Sequence, residues 1–281
     1  RSFNVGLPGQ ALAGWVSAVW FALSFPDLPK VVSVICTVII GLVAGGITGA
    51  IPGILRAYLG TSEVIVTIMM NYIILYVANN IIRFGFTADM LRSSEASNKV
   101  VASASYQTDF LSSLTDGSRF NIGFFLAIAA VFLVWFMLKK TTTGFEITAV
   151  GLNPHASEYA GMSSKRVIIM SMIISGALCG LGGTVEGLGT FQNAFVQNSS
   201  LAIGWNGMAV ALLATNSPIG IPFAALLYGV LSVGKTGMIG VPSEIIDVVS
   251  ALIIFFVGAN YIIKYWIRPR HKTVKAKGGQ N

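Results

Sequence analysis

Several stretches of this chain run the length of a membrane crossing without a charge, three of them as follows. "VIVTIMMNYIILYVANNII" fills residues 64–82, "NIGFFLAIAAVFLVWFML" fills 121–138 and "VIIMSMIISGALCGLGGTV" fills 167–185. A helix needs roughly 20 apolar residues to cross the hydrocarbon core of a bilayer. None of these runs shows the period-two alternation of a barrel strand. Composition agrees: 54% of the 281 residues are hydrophobic and 10% are charged, against about 25% charged in a soluble domain. The expected fold class is all-α, a polytopic transmembrane helical bundle. Eight apolar segments can be drawn, at 9–25, 31–54, 64–84, 121–139, 166–188, 200–215, 218–236 and 243–264. The pair at 200–215 and 218–236 is broken by Gly, Pro and Asn, so either member has the composition of a half-helix or re-entrant segment.

The formal net charge of +7 would point to nucleic acid in a soluble protein. Here it reads as cations gathered in cytoplasmic loops, and no nucleic-acid partner is expected. Alternation of the segments puts Arg56, Lys139, Lys140, Lys165, Arg166 and the cations of the tail on one side, the larger share of the 18. That side is expected to be cytoplasmic. Residues 85–120 then form an extracellular loop, 140–166 a cytoplasmic loop and 265–281 a cytoplasmic tail. Cys36 and Cys179 lie inside apolar runs and read as packing residues. No His, Cys or carboxylate cluster has metal-ligand spacing. The chain opens on "RSFNVGLPGQ" with no Met, so the natural protein is expected to start earlier, with this chain an N-terminally truncated form.

Gly41, Gly45, Gly49 and Gly53 recur at every fourth position, and Gly176 with Gly180 and Gly183 with Gly187 repeat the spacing. Such faces let helices approach closely in lipid. Packing within the chain is the ordinary reading, and a subunit interface the other.

Converging titratable groups, the mark of an enzyme, are scarce. Glu63 follows Thr61 and Ser62 and suits the first turn of a helix. Glu244 and Asp247 look like a second acidic first turn. Glu186 lies in "GLGGTVEGLGTFQN", at the outer end of a Gly-rich helix, where an ionisable group near membrane depth is a functional candidate by default or, alternatively, reaches the outer interface and is solvated. Thr67 and Asn71 stand one turn apart on a face shared with Glu63, and Asn79, Asn80, Asn193 and Asn206 lie towards the outer side. Amides and hydroxyls of this kind suit a polar, uncharged solute and equally suit hydrogen bonds between helices. Thr67, Asn71, Glu186 and Asn206 are the candidates for a solute path. Few intramembrane carboxylates or basic groups are present to couple an ion gradient.

"AVGLNPHASEYAGMSSKRV" (149–167) is polar between apolar runs. Asn153 has the chemistry of an N-cap, Pro154 fits the first helical position and Gly161 fits a left-handed stop. Ser163 or Ser164 caps the helix that follows. Ala156, Tyr159 and Ala160 share one face of the short helix. Two turns are unstable alone, so the face must be held. Spacing leaves two supports equal: a groove on another protein, or the lipid interface or its own subunit.

At these residues the chain resembles the ABC-importer permeases of the ribose/branched-chain amino acid class. The likeness runs through "TTTGFEITAVGLNPHASEYAGMSSKRVIIMSMIISGALCGLGGTVE", and Ser157 departs from the Ala common at its place. "FNVGLPGQALAGW" is similar to that family's opening, with Pro8 where an acidic residue is usual. "TSEVIVTIMMNYI", "VEGLGTF" and "GWNGMAVALLATNSPIGIPFAALLYG" look most like its nucleoside branch. The resemblance implies one transmembrane permease domain over 1–281, similar to type II importers, in a bacterial cytoplasmic (plasma) membrane. It implies no catalysis in this chain and no cofactor, with ATP and Mg held by a cytoplasmic ABC ATPase. It implies a second permease, most often a different chain, and an extracellular substrate-binding lipoprotein. The short helix becomes the coupling helix, seated in the ATPase through Gly151, Asn153, Ala156, Tyr159, Ala160 and Gly161. The expected cargo is a nucleoside. The alternatives are a simple sugar such as ribose or a branched-chain amino acid and, further off, a secondary carrier or channel for a small polar solute.

Overall fold

The computed structural model describes residues 3–115 and 118–236, with Ile245, Val248, Ala251 and Leu252. Glu244, Asp247 and the 265–281 tail lie outside the described residues. The chain divides into two compact units, Arg1–Met208 and Ala209–Asn281, taken separately here.

The first unit is helical as its apolar runs require. α1 spans Leu7–Ser24, α2 Lys30–Leu59 and α3 Glu63–Asn80, the last running on into a π-helical turn at Ile81–Gly85. A small antiparallel hairpin follows, β1 (Leu91–Ser93) and β2 (Ala96–Ser97), then α4 (Asp109–Leu114). α5 (Gly123–Lys140) leads to α6 (Thr142–Leu152) and the short α7 (Pro154–Tyr159). α8 (Ser164–Val185) ends in a second π turn at Glu186–Phe191, and α9 (Ala202–Leu213) begins in this unit. Among the described residues four helices are long and apolar enough to cross a membrane: Lys30–Leu59, Glu63–Gly85, Gly123–Lys140 and Ser164–Phe191. α6 is an addition, since the lead-in "TTTGFEITAVGL" reads as loop by composition. Its start is fixed by Thr141, whose hydroxyl accepts the Gly144 N–H at 3.2 Å.

α1, α2 and α8 make the centre. Gly41, Gly45, Gly49 and Gly53 are all buried and turned to α8. A methyl added at Gly180 would overlap the Gly41 carbonyl oxygen, and one at Gly176 the Gly45 carbonyl oxygen. One at Gly183 would meet the backbone of Ala11 on α1. Backbone lies against backbone, the close approach that small-xxx-small faces permit. The glycine faces therefore pack within the chain. α5 is the opposite case. Phe132 and Leu133 on it are over 60% exposed, which suits a helix that faces lipid.

Residues 85–115 pack against the strip that follows α8. The Ser97 N–H donates to the Ala194 carbonyl at 2.8 Å, and that of Val100 to the Gln192 carbonyl at 2.8 Å. Tyr106 is fully buried with its hydroxyl 3.0 Å from that of Thr37 on α2. Burial pushes the Tyr106 phenol up to about 12, against a smaller lowering by the Thr37 bond. Trp15 of α1 sits beneath this layer. It stacks on Phe191 at 5.1 Å, meets Phe195 edge-on at 5.4 Å and donates its indole N–H to the Asn193 carbonyl at 2.9 Å.

In the second unit the end of α9 turns through Thr215 and Asn216, both at positive φ, into α10 (Gly220–Thr236). The 12 residues of α9 rise about 18 Å, short of the ~30 Å hydrocarbon core. That length is the one expected of a half-helix, while α10 has 17 residues.

Candidate functional site

Two places answer to the candidate residues. The first is the short helix α7. The Asn153 side chain accepts the Ala156 N–H at 3.1 Å, and Pro154 takes the first turn. Gly161 turns the chain at φ 85°, and Ser163 caps α8 by accepting the Arg166 N–H. The helix is held from within its own chain by other residues than its small face. Ser157 is buried and donates to the Asn153 carbonyl at 2.9 Å, and the Ser164 hydroxyl donates to the Pro154 carbonyl at 3.2 Å. Ala156, Tyr159 and Ala160 are exposed, Tyr159 by 96%. Among the described residues nothing covers this face, which argues against the chain's own subunit as its support. Among the described residues nothing lies within 4 Å of a side chain placed at Gly151 or Gly161. Asn153, Ala156, Tyr159, Ala160 and Gly161 thus lie on or beside α7, while Gly151 is half-buried near the end of α6.

The path candidates are not gathered. Thr67 and Asn71 are buried on α3, with their polar atoms taken by the segment leading into α1. The Thr67 hydroxyl accepts the Val5 N–H at 3.3 Å and donates to the Glu63 carbonyl at 2.7 Å. The Asn71 amide accepts from the Gly9 N–H and donates to the Val5 carbonyl, each at 2.9 Å. Asn4 extends this interior network to Gln10 at 2.9 Å and Ser175 at 2.8 Å. Of the two uses open to Thr67 and Asn71, the geometry gives interior hydrogen bonding, and neither meets a solvent-facing surface. Backbone groups buried in lipid need such partners. Glu63 opens α3 and pairs with Arg56 of α2 at 3.0 Å.

Glu186 is half-buried and begins the π turn after α8, where its carboxylate accepts the Thr190 hydroxyl at 3.1 Å. Asn206 is half-buried on α9. The turn of α9 before it packs close to α1, since a methyl at Gly204 would overlap the backbone of Pro8.

A pocket of about 450 Å³ lies at the far end of α3, lined by Tyr76, Asn79, Asn80, Arg83, Phe84 and the 196–198 strip. The sequence pointed to Asn79 and Asn80 but missed Tyr76 and Arg83. Their signal was the spacing of polar and aromatic groups along one face of an apolar run. Among the described residues no group of three or more His, Cys, Asp or Glu could hold a metal ion.

Crossing helices, glycine seams and sparse intramembrane charge define a multi-pass membrane protein. The chain belongs to the family of permease components described as branched-chain amino acid transport system / permease component, whose model matches residues 1–258. It is a transport component, not an enzyme. The nucleoside ABC transporter permease protein NupB of Lactococcus lactis is 54% identical over 278 residues, 98% of this chain and 76% of NupB. The guanosine ABC transporter permease protein NupP of Bacillus subtilis is 46% identical over 266 residues, 94% of this chain and 75% of NupP. A second Bacillus subtilis protein, the guanosine ABC transporter permease protein NupQ, is 35% identical over 104 residues, 37% of this chain and 32% of NupQ. No solved structure matches the chain.

Proposed function

We propose that this chain is the membrane-spanning subunit of an ATP-driven importer of nucleosides. The observation that carries this is the 54% and 46% identity, over nearly the whole chain, to permeases named for nucleoside and guanosine transport. The outward-facing α7 supports the ATP-driven part. Its capped ends and exposed Tyr159 suit a helix seated in a groove of a cytoplasmic ATPase, which would hold the ATP and Mg. Gly151, Asn153, Ala156, Tyr159, Ala160 and Gly161 are the seat. On this reading residues 140–166 and the 265–281 tail are cytoplasmic, and 85–120 face outside a bacterial plasma membrane. Bacillus subtilis has two different chains named guanosine permease, NupP and NupQ, which supports pairing of this chain with a second, different permease. A substrate-binding lipoprotein would deliver the solute, and Glu186 and Asn206 are the path candidates that keep some exposure.

Uptake of radiolabelled guanosine and uridine by cells carrying the whole importer tests the cargo. Competition by unlabelled nucleosides, and not by ribose or branched-chain amino acids, is the expected result. Competition by ribose or leucine alone overturns it. Transport that survives loss of the ATPase, yet stops when the ion gradient is collapsed, would instead identify a secondary carrier.

A further inference from the structure

One face of α3 is out of character for a helix in lipid. Tyr72, Tyr76, Asn80 and Arg83 follow one another at steps of four, four and three, so they share a stripe. All four are exposed. An amide and a guanidinium turned to hydrocarbon are costly and mark a polar surface. The stripe ends in the pocket of about 450 Å³, a size within the ~300–1,000 Å³ of small-molecule sites.

The pocket is built rather than incidental. The Asn79 amide donates to the Gln197 carbonyl at 2.8 Å and accepts the Gln197 N–H at 2.9 Å. This two-way bond fixes the strip carrying Asn198 against α3. It consumes Asn79 and leaves Asn80 and Asn198 to offer amide edges. The π turn at Ile81–Gly85 places Arg83 and Phe84 on the pocket wall, and such turns recur at functional sites. Arg83 on the wall pairs with Glu95, outside the lining, at 3.2 Å, so its charge is offset by a carboxylate. Aromatic faces bind flat rings, amides bond their edges, and a paired guanidinium offers an anion less than a free one.

We infer that this pocket binds the uncharged base of a nucleoside, with Tyr76 supplying a stacking face and Asn80 an edge contact. The inference rests on the nucleoside reading above and adds the site. Equilibrium binding of tritiated guanosine to the assembled permease–ATPase complex, without the binding protein, tests it. Saturable binding is expected, competed by uridine but not by ribose or guanosine monophosphate. Tyr76→Leu should weaken binding about tenfold, the scale of one lost base–aromatic stack. Tyr76→Phe keeps the ring and should bind as the unaltered chain does. Equal binding by Tyr76→Leu, or equal competition by the monophosphate, overturns the site while leaving nucleoside import standing. Loss of the second permease from the purified Tyr76→Leu complex also overturns it, making the stripe a subunit contact. An unaltered importer that takes up no nucleoside overturns both readings.

Discussion

The seam between α2 and α8 and the short helix α7 are both rich in small residues, and they use them in opposite ways. In the seam, buried glycines bring carbonyl oxygens against the neighbouring backbone, and an added methyl has nowhere to go. Around α7, Gly151 and Gly161 have open space and Ala156 and Ala160 face outward. Smallness in the seam is spent on contacts inside the chain. At α7 it leaves a low surface from which one ring, that of Tyr159, stands clear. The same residue chemistry thus marks a completed interface in one region and an unpartnered one in the other.

The contrast can be broken from either side. Gly180→Val should have the largest effect, because its methyls meet backbone that cannot rotate away. A cost beyond about 3 kcal/mol would remove monodisperse protein from size-exclusion chromatography in detergent. Gly182→Val is its control, since nothing lies within 4 Å of that position, and it should elute as the unaltered chain does. Tyr159→Asp should leave insertion and elution unchanged yet lower uptake about tenfold or more, the scale of an aromatic anchor lost from an interface. Normal uptake by that variant with its ATPase present would end the coupling assignment. Asn71→Ala strands the Gly9 N–H and the Val5 carbonyl in the interior, at about 1–3 kcal/mol per group. It should lower the thermal midpoint in detergent without altering solute selectivity. A change of selectivity would return Asn71 to the solute path. Gly161→Ala should be smallest, about 1 kcal/mol for a side chain at positive φ, seen as local amide exchange in residues 154–163.

What was legible follows the range of the forces. Asn153, Pro154, Gly161 and Ser163 act on backbone within a few residues, and their roles can be read from spacing. The glycine faces were legible as faces because period alone defines them. Their partner was not, since nothing in "GLVAGGITGAIPG" says that α8 lies opposite. Thr67 and Asn71 show the same limit. Their shared face is a matter of period, but their use depends on Val5 and Gly9, more than 60 residues away. α6 escaped because Thr and Ile lower helix propensity, and its start depends on the single cap at Thr141. The π turns leave no mark in composition. They shift hydrogen bonds by one residue, so the pocket that Arg83 and Phe84 wall becomes visible only once the backbone is drawn.

The bond from Ser164 to the Pro154 carbonyl has a mechanical consequence. Only residues 160–163 separate α7 from α8, and that bond closes the short link into a stiff corner. A force on Tyr159, if the helix is seated in an ATPase, would meet a short, tied link. It would pass into α8, a rod of 22 residues and about 33 Å, clamped along its length by the glycines of α2. Its far end is the π turn that begins at Glu186. On the proposed coupling reading, displacement at Tyr159 would reach that turn through a lever whose fulcrum has no side chains.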